Sequence, residues 1–174
     1  QMGNSEVGHM NLGAGRIVYQ DLAKINLAIA ENTLKDEVVL KDAMAYAKAN
    51  DKTIHLLGLL SNGGVHSHVN HVKSLLSILS ENECAKVALH GFTDGRDVDP
   101  QSGAGFVADL VAHMAKTTGK IGSLIGRYFA MDRDHRWDRV QKAYALLVNG
   151  EGKTTTDFVA ALKASYQNGV TDEF

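Results

Sequence analysis

Three short, almost continuously apolar segments limit what this chain can fold into more than any other feature. They cover residues 54–60, 87–92 and 121–129, and apolar residues at helical spacing follow each of them. Apolar runs of this length predict buried strands, and strands that alternate with helices join in parallel through βαβ connections. The sequence therefore predicts an α/β fold in three layers, with a mostly parallel sheet flanked by helices.

The composition is that of an ordinary globular domain and argues against several classes of protein. Hydrophobic residues make up 44% of the 174 residues, and the formal net charge is −2. Nucleic-acid-binding proteins usually carry a basic face, so we expect no nucleic-acid partner. No apolar run approaches the roughly 20 residues of a membrane-spanning helix, so we expect no membrane partner. Cys84, the single cysteine, cannot form an internal disulfide, which is typical of a cytoplasmic protein.

Chemically versatile side chains follow each of the three predicted strands. Residues 61–68 follow the first strand, residues 93–97 follow the second, and Arg127, Arg133 and Arg136 lie at or after the end of the third. Ligands of open α/β sheets bind outside the carboxyl ends of the strands. We therefore expect these three segments to form one site at one edge of the sheet.

Three arginines at this edge predict a site for a small, highly charged anion. A guanidinium donates a rigid pair of hydrogen bonds that matches phosphate or carboxylate oxygens. Arg96, Arg127 and Arg133 would supply these donors, although each arginine alone could be a solvated surface residue. Of the two carboxylates beside Arg96, Asp97 is the functional candidate, whereas Asp94, which precedes a glycine, is typical of a turn.

Histidines after the first predicted strand allow two interpretations. His66, His68 and His71 have a spacing that zinc could use, but no cysteine or acid nearby completes a set of four ligands. We therefore favour a phosphate-facing role for His66 and place the other two on the polar face of the next helix. The Gly63-Gly64 pair could let backbone N–H groups approach a phosphate, although no P-loop motif follows.

The opening of the chain places one serine among glycines, ahead of a possible helix. Ser5 follows Gly3 and Asn4 and precedes Glu6, which adds a carboxylate to the first helical turn. Taken alone, this pattern favours an ordinary helix N-cap, because serine caps are far commoner than serine nucleophiles. The alternative is an exposed nucleophile whose small neighbours let a phosphate approach the hydroxyl.

Four motifs in register resemble the cofactor-independent phosphoglycerate mutases, which need no 2,3-bisphosphoglycerate. The motifs lie within residues 1–16, 61–68, 94–97 and 126–134, and they include the stretches QMGNSEVGH, SNGGVHSH and DGRD. The resemblance runs from residue 1 to about residue 150 and is less distinctive beyond it. Four separate motifs in the family's order make a specific match.

The resemblance implies an enzyme of two domains. One domain resembles alkaline phosphatases and carries two metal ions, usually manganese, together with the serine nucleophile. The other is the phosphotransferase domain, which holds the substrate. Residues 1–19 would belong to the first domain, and residues 20–174 to a C-terminally truncated second domain. Because most metal ligands of the family lie outside this chain, we expect the chain alone to bind no manganese and to lack mutase activity.

The resemblance also implies roles for individual residues. Ser5 corresponds to the serine that is phosphorylated during catalysis and that contacts a metal ion. Asp97 corresponds to a candidate acid or base. The residues that would bind the phosphoglycerate are His66, Arg96, Asp97, Arg127 and Arg133.

The implied reaction is an isomerisation. In it, 3-phosphoglycerate and 2-phosphoglycerate interconvert through a phosphoserine intermediate, as a step of glycolysis and gluconeogenesis. The full-length enzyme would be a cytoplasmic monomer whose partner is this small-molecule substrate. Two alternatives stay open: a related metal-dependent phosphatase or phosphotransferase with another substrate, and a non-catalytic anion-binding module.

Overall fold

The computed structural model describes the backbone of residues 5–174 and the side chains of residues 7–174. Helices surround three strands, and a short 3-10 helix, Leu34–Asp36, precedes the third α-helix. The strands are β1 (Ile54–Leu60), β2 (Val87–Thr93) and β3 (Lys120–Gly126). The α-helices are α1 (Ser5–Ala14), α2 (Asp21–Ala30), α3 (Val38–Ala49), α4 (Val69–Glu81), α5 (Gly103–Met114), α6 (Arg127–Ala130), α7 (Trp137–Asn149) and α8 (Phe158–Gln167).

The sheet is parallel throughout, in the order β1–β2–β3. Leu56 pairs with Leu89, and Leu89 pairs with Ile121, so these three side chains share one face. Helices α4 and α5, which connect the strands, contribute Leu76 and Leu110 to the same buried core. The predicted α/β fold with a parallel sheet flanked by helices is therefore confirmed.

Local sequence signals set the ends of several helices. The His68 ring accepts a hydrogen bond from the Asn70 N–H and caps α4, and the Asp157 carboxylate accepts one from the Ala160 N–H and caps α8. Helix α7 ends at Gly150, whose φ of 72° is left-handed. None of the helices within residues 5–174 is long and apolar enough to cross a membrane.

The third strand is shorter than the sequence predicts. The apolar run suggests a strand to residue 129, but β3 ends at Gly126, and Arg127–Ala130 form a helical turn. The Tyr128 N–H donates to the Glu173 carbonyl oxygen at 2.9 Å, instead of continuing the ladder of the sheet. A distant segment of chain therefore ends this strand, and a sequence window around residue 128 carries no sign of it.

The two faces of β1 are buried to different extents. Leu56 contributes to the core, whereas His55 and Leu57 point to the opposite face, where the Leu57 side chain is 56% exposed. An almost continuous apolar run predicts burial on both faces. Exposure alternates only along the first half of β1, since Leu59 and Leu60 at its carboxyl end are both buried.

Candidate functional site

A buried ion-pair cluster lies at the carboxyl end of the sheet. Arg127 begins α6 directly after β3, and its side chain is only 5% exposed. Its Nη1 donates to Asp94 Oδ1 and to Asp97 Oδ2, both at 2.6 Å. One guanidinium nitrogen therefore ties the loop after β2 to the end of β3.

Asp94 has two structural tasks in this cluster. It directly follows β2, is 1% exposed, and its Oδ1 accepts hydrogen bonds from the backbone N–H groups of Arg96 and Asp97 at 3.2 and 3.0 Å. These bonds form the turn that the sequence predicts. The same oxygen also pairs with Arg127, a role that the sequence does not predict because the two residues are 33 positions apart.

The partners of this pair keep both groups charged. Burial raises the pKa of Asp94, but hydrogen bonds from the Ser61 hydroxyl, the Asp97 N–H and Arg127 outweigh it and hold the pKa below its ordinary value. Among the described residues, no donor meets hydrogen-bond geometry at Asp94 Oδ2. Burial lowers the pKa of Arg127, but the bonds to Asp97 and Asp94 outweigh it and raise this pKa.

Asp97 joins the ion pair to the loop after β1. Its Oδ2, which accepts from Arg127, also lies 3.7 Å from His66 Nε2, and both side chains are partly exposed. Gly63 lets the two loops approach, because a Cβ at this position would lie 3.2 Å from the Asp97 carbonyl oxygen. The structure thus brings together three predicted site residues, one from each strand end: His66, Asp97 and Arg127.

The other two predicted arginines lie outside this buried cluster. Arg96 extends from the same turn, is 62% exposed, and has its Nη1 at 3.8 Å from Glu173 Oε1. Arg133 lies in the loop between α6 and α7, where its exposed side chain makes no hydrogen bond or ion pair with the described residues. Their proposed contacts with a ligand stay predictions. The side chain of Ser5, at the start of α1, lies outside the described part of the chain.

The three neighbouring histidines contact different partners. His66 lies beside Asp97, His68 caps α4, and the His71 Nε2 is 2.6 Å from Asn26 Oδ1. The described residues contain no group of three or more His, Cys, Asp or Glu side chains that could hold a metal ion. Neither zinc nor manganese therefore has a fitting set of ligands in this part of the chain.

Sequence reasoning missed the C-terminal strap, residues 171–174, which packs against the site. The Asp172 carboxylate, 1% exposed, accepts hydrogen bonds from the Gly103 N–H at 2.7 Å and from the Tyr166 hydroxyl. Its carbonyl oxygen accepts one from Thr93 Oγ1 at 2.6 Å. The strap carries no periodic pattern, so no local signal could have placed it beside β2.

The pKa of Asp172 moves in the direction opposite to that of Asp94. Burial raises the pKa of Asp172, and the nearby charges of Asp99 and Asp94 add to the effect. The hydrogen bonds from Tyr166 and from the Gly103 N–H lower it, but they do not compensate. A buried carboxyl whose donors are neutral therefore stays easier to protonate than one paired with arginine.

The sequence of this chain was compared with models of known protein families. A family model described as "BPG-independent PGAM N-terminus" matches residues 25–174. The chain belongs to this family of phosphoglycerate mutases. The resemblance inferred from the four sequence motifs is thereby confirmed.

Individual relatives agree with the family match. A Flavobacterium psychrophilum protein named 2,3-bisphosphoglycerate-independent phosphoglycerate mutase is 59% identical over 174 residues, which is 100% of this chain and 34% of the relative. A Bacteroides thetaiotaomicron protein of the same name is 57% identical with the same coverage. The crystal structure of Leishmania mexicana phosphoglycerate mutase at low cobalt concentration superposes with a TM-score of 0.87 and 32% identity, over 99% of this chain and 33% of that one. The chain thus spans about a third of the length of the relatives it matches.

Proposed function

We propose that this chain supplies the substrate-binding part of a 2,3-bisphosphoglycerate-independent phosphoglycerate mutase, an isomerase that interconverts 3-phosphoglycerate and 2-phosphoglycerate. The observation that carries the proposal is the meeting of His66, Asp97 and Arg127 at the carboxyl edge of the sheet, in a chain of this family. A phosphoglycerate has anionic groups and a hydroxyl, so its site needs cationic donors beside an acceptor.

Arg127 is suited to bind an anion because two aspartates hold it in place. Only its Nη1 is used in those bonds, and the other guanidinium donors make no hydrogen bond with the described residues. These donors can bind carboxylate or phosphate oxygens in pairs. Arg96 and Arg133, which are exposed, would add contacts from two further loops.

The proposed reaction transfers a phosphoryl group twice. The Ser5 hydroxyl takes the phosphoryl group from one oxygen of the glycerate and later returns it to the other oxygen. The glycerate has to stay bound while it reorients, and paired arginine contacts to its carboxylate would retain it with water excluded. Asp97, whose Oδ2 accepts a hydrogen bond from Arg127, would act as the acid or base that exchanges a proton with a substrate hydroxyl.

The remaining parts of the proposal rest on the family resemblance. Residues 1–19 would belong to the domain that carries the metal ions, and residues 20–174 to the substrate-binding domain. Manganese would offset charge on the transferring phosphoryl group, with donor atoms from outside the described residues. The enzyme would act in the cytoplasm as a monomer and need no nucleic acid.

An assay of the full-length protein that contains this chain tests the proposal. With 3-phosphoglycerate and manganese, and without 2,3-bisphosphoglycerate, we expect 2-phosphoglycerate to form. Ser5→Ala should abolish turnover, and mass spectrometry of the trapped wild type should show phosphate on Ser5. Release of inorganic phosphate alone would favour a phosphatase, and binding without turnover would favour an anion-binding module. Either result contradicts the mutase.

A second measurement addresses the anion site. In the full-length protein, Arg96→Ala should raise KM more than it lowers kcat, because an exposed arginine contributes mainly to binding. Lys163→Ala, which removes an exposed cation from α8, is the matched control and should change neither value. The 174-residue chain alone should show no mutase activity but should bind phosphoglycerate weakly in calorimetry; absence of binding at millimolar ligand would contradict this.

A further inference from the structure

The C-terminal strap is fixed on both sides of Glu173. On one side, the Asp172 N–H donates to the Pro100 carbonyl oxygen at 2.9 Å, in addition to the contacts of the Asp172 carboxylate. On the other side, the Glu173 carbonyl oxygen accepts from the Tyr128 N–H at 2.9 Å. The Phe174 ring then packs against Tyr128, with ring centroids 4.9 Å apart. The backbone of Glu173 is therefore held between the loop after β2 and the first turn of α6.

Two glycines show how closely the strap fits. Gly95, with a φ of 63°, lies next to Arg96, and a Cβ there would be 2.8 Å from the Glu173 nitrogen. A Cβ at Gly126, the residue before Arg127, would overlap the Glu173 carbonyl oxygen. The glycines that directly precede Arg96 and Arg127 thus accommodate the backbone of Glu173.

The side chain of Glu173 faces one of these arginines. Its Oε1 lies 3.8 Å from Arg96 Nη1, and Glu173 is the less exposed partner of the two. A long arginine side chain in solvent samples many rotamers, and an anchored carboxylate narrows that range before a ligand arrives.

We propose that Glu173 is a positioning residue for Arg96, restricting its guanidinium at the carboxyl edge of the sheet so that it can bind the anionic substrate. The proposal rests on the proposed function, since it takes phosphoglycerate as the ligand. Because the Arg96 side chain is largely exposed, the effect of the pair should appear in substrate binding and not in the stability of the fold.

A double-mutant cycle in the full-length protein tests this role. Glu173→Ala should raise KM about three- to fivefold and leave kcat unchanged, the factor expected for an exposed ion pair. In an Arg96→Ala background the same substitution should have no further effect, because the group that it positions is gone. Glu173→Gln, which keeps the shape of the side chain but removes its charge, should raise KM as much as Glu173→Ala does, because the 3.8 Å contact is electrostatic.

The controls separate positioning from structure. Glu37→Ala, which removes an exposed carboxylate just before α3, should leave KM and the melting temperature unchanged. An unchanged KM in Glu173→Ala overturns the proposal. The proposal is also overturned if the increases in KM of the two single variants multiply in the double variant. A fall in the melting temperature of Glu173→Ala that accounts for its higher KM would overturn it as well.

The two proposals can fail separately. If the wild type turns over substrate and Glu173→Ala behaves like the wild type, the positioning role fails and the mutase assignment stands. If the wild type shows no mutase activity, calorimetry can still measure whether Glu173 and Arg96 act together. It would give the dissociation constant for inorganic phosphate of the wild type, the two single variants and the double variant. Coupling between Glu173 and Arg96 in that measurement would support positioning of an anion-binding arginine, and its absence would overturn it.

Discussion

Asp94 and Asp172 are buried to the same extent, 1% exposed, but are held in opposite ways. Asp94 pairs with Arg127, and its pKa is lowered. Asp172 accepts hydrogen bonds from the neutral Tyr166 hydroxyl and Gly103 N–H, and its pKa is raised. Burial by itself does not decide the charge of a carboxyl group, because its hydrogen-bond donors, which at Asp94 are the Ser61 hydroxyl, the Asp97 N–H and Arg127, shift its pKa as well.

The difference separates two structural roles. The Asp94–Arg127 pair keeps its charges at the edge where an anionic ligand would bind, and it orients an arginine whose other donors are available. Asp172 closes the C-terminal strap against β2 and α5 and meets no cation among residues 7–174. The first carboxylate therefore orients Arg127, and the second fixes residues 171–174 against the loop after β2.

Removing the buried guanidinium of Arg127 should produce the largest loss of stability. Arg127→Ala leaves Asp94 without its buried partner, and loss of one member of a buried ion pair typically costs about 3–5 kcal/mol. Urea unfolding of the 174-residue chain measures the change. Arg127→Lys is the matched variant and should cost less, because it keeps a positive charge. A loss below about 1 kcal/mol in Arg127→Ala would mean that solvent reaches Asp94 and that the cluster is not a buried pair.

Displacing the strap should have an intermediate effect. Gly126→Ala places a methyl group against the Glu173 backbone, and such overpacking typically costs about 1–3 kcal/mol. Gly105→Ala is the control, because a Cβ within α5 meets nothing within 4 Å, and alanine should stabilise the helix by up to about 1 kcal/mol. Unfolding in urea reports both variants. If Gly126→Ala were as stable as Gly105→Ala, the strap would not pack against Gly126 as described.

The dependence of stability on pH should give the smallest effect and the sharpest contrast. Asp94, whose pKa is lowered from 3.8, contributes stability above 3.8 that is lost as the pH falls through its folded-state value. Asp172, whose pKa is raised from 3.8, contributes stability below 3.8 that is lost as the pH rises through its folded-state value.

Asparagine variants separate the two contributions. Unfolding free energies measured between about pH 3 and pH 7 should show a smaller loss at the acid end for Asp94→Asn than for the wild type. For Asp172→Asn, the stability relative to the wild type should rise as the pH increases through this range. If the stability of both variants relative to the wild type changed in the same direction with pH, the contrast between the two carboxylates would be contradicted.

Much of the site could be predicted because it depends on the ends of strands. The apolar runs locate β1, β2 and β3, and a parallel sheet places their carboxyl ends at one edge. His66, Asp97 and Arg127 meet there for that reason. The turn at Asp94 was also predicted, since an aspartate before glycine accepts nearby backbone N–H groups.

The sequence alone determined the alternation of strands and helices, the edge that carries the polar loops, and the motifs that mark the family, because these depend on periodicity and local spacing. Only the tertiary structure decided that Asp94 pairs with Arg127, that β3 ends at Gly126, and that the strap reaches Thr93 across 79 positions. Such contacts form between segments with no shared pattern, where packing and the satisfaction of buried polar groups choose the partner.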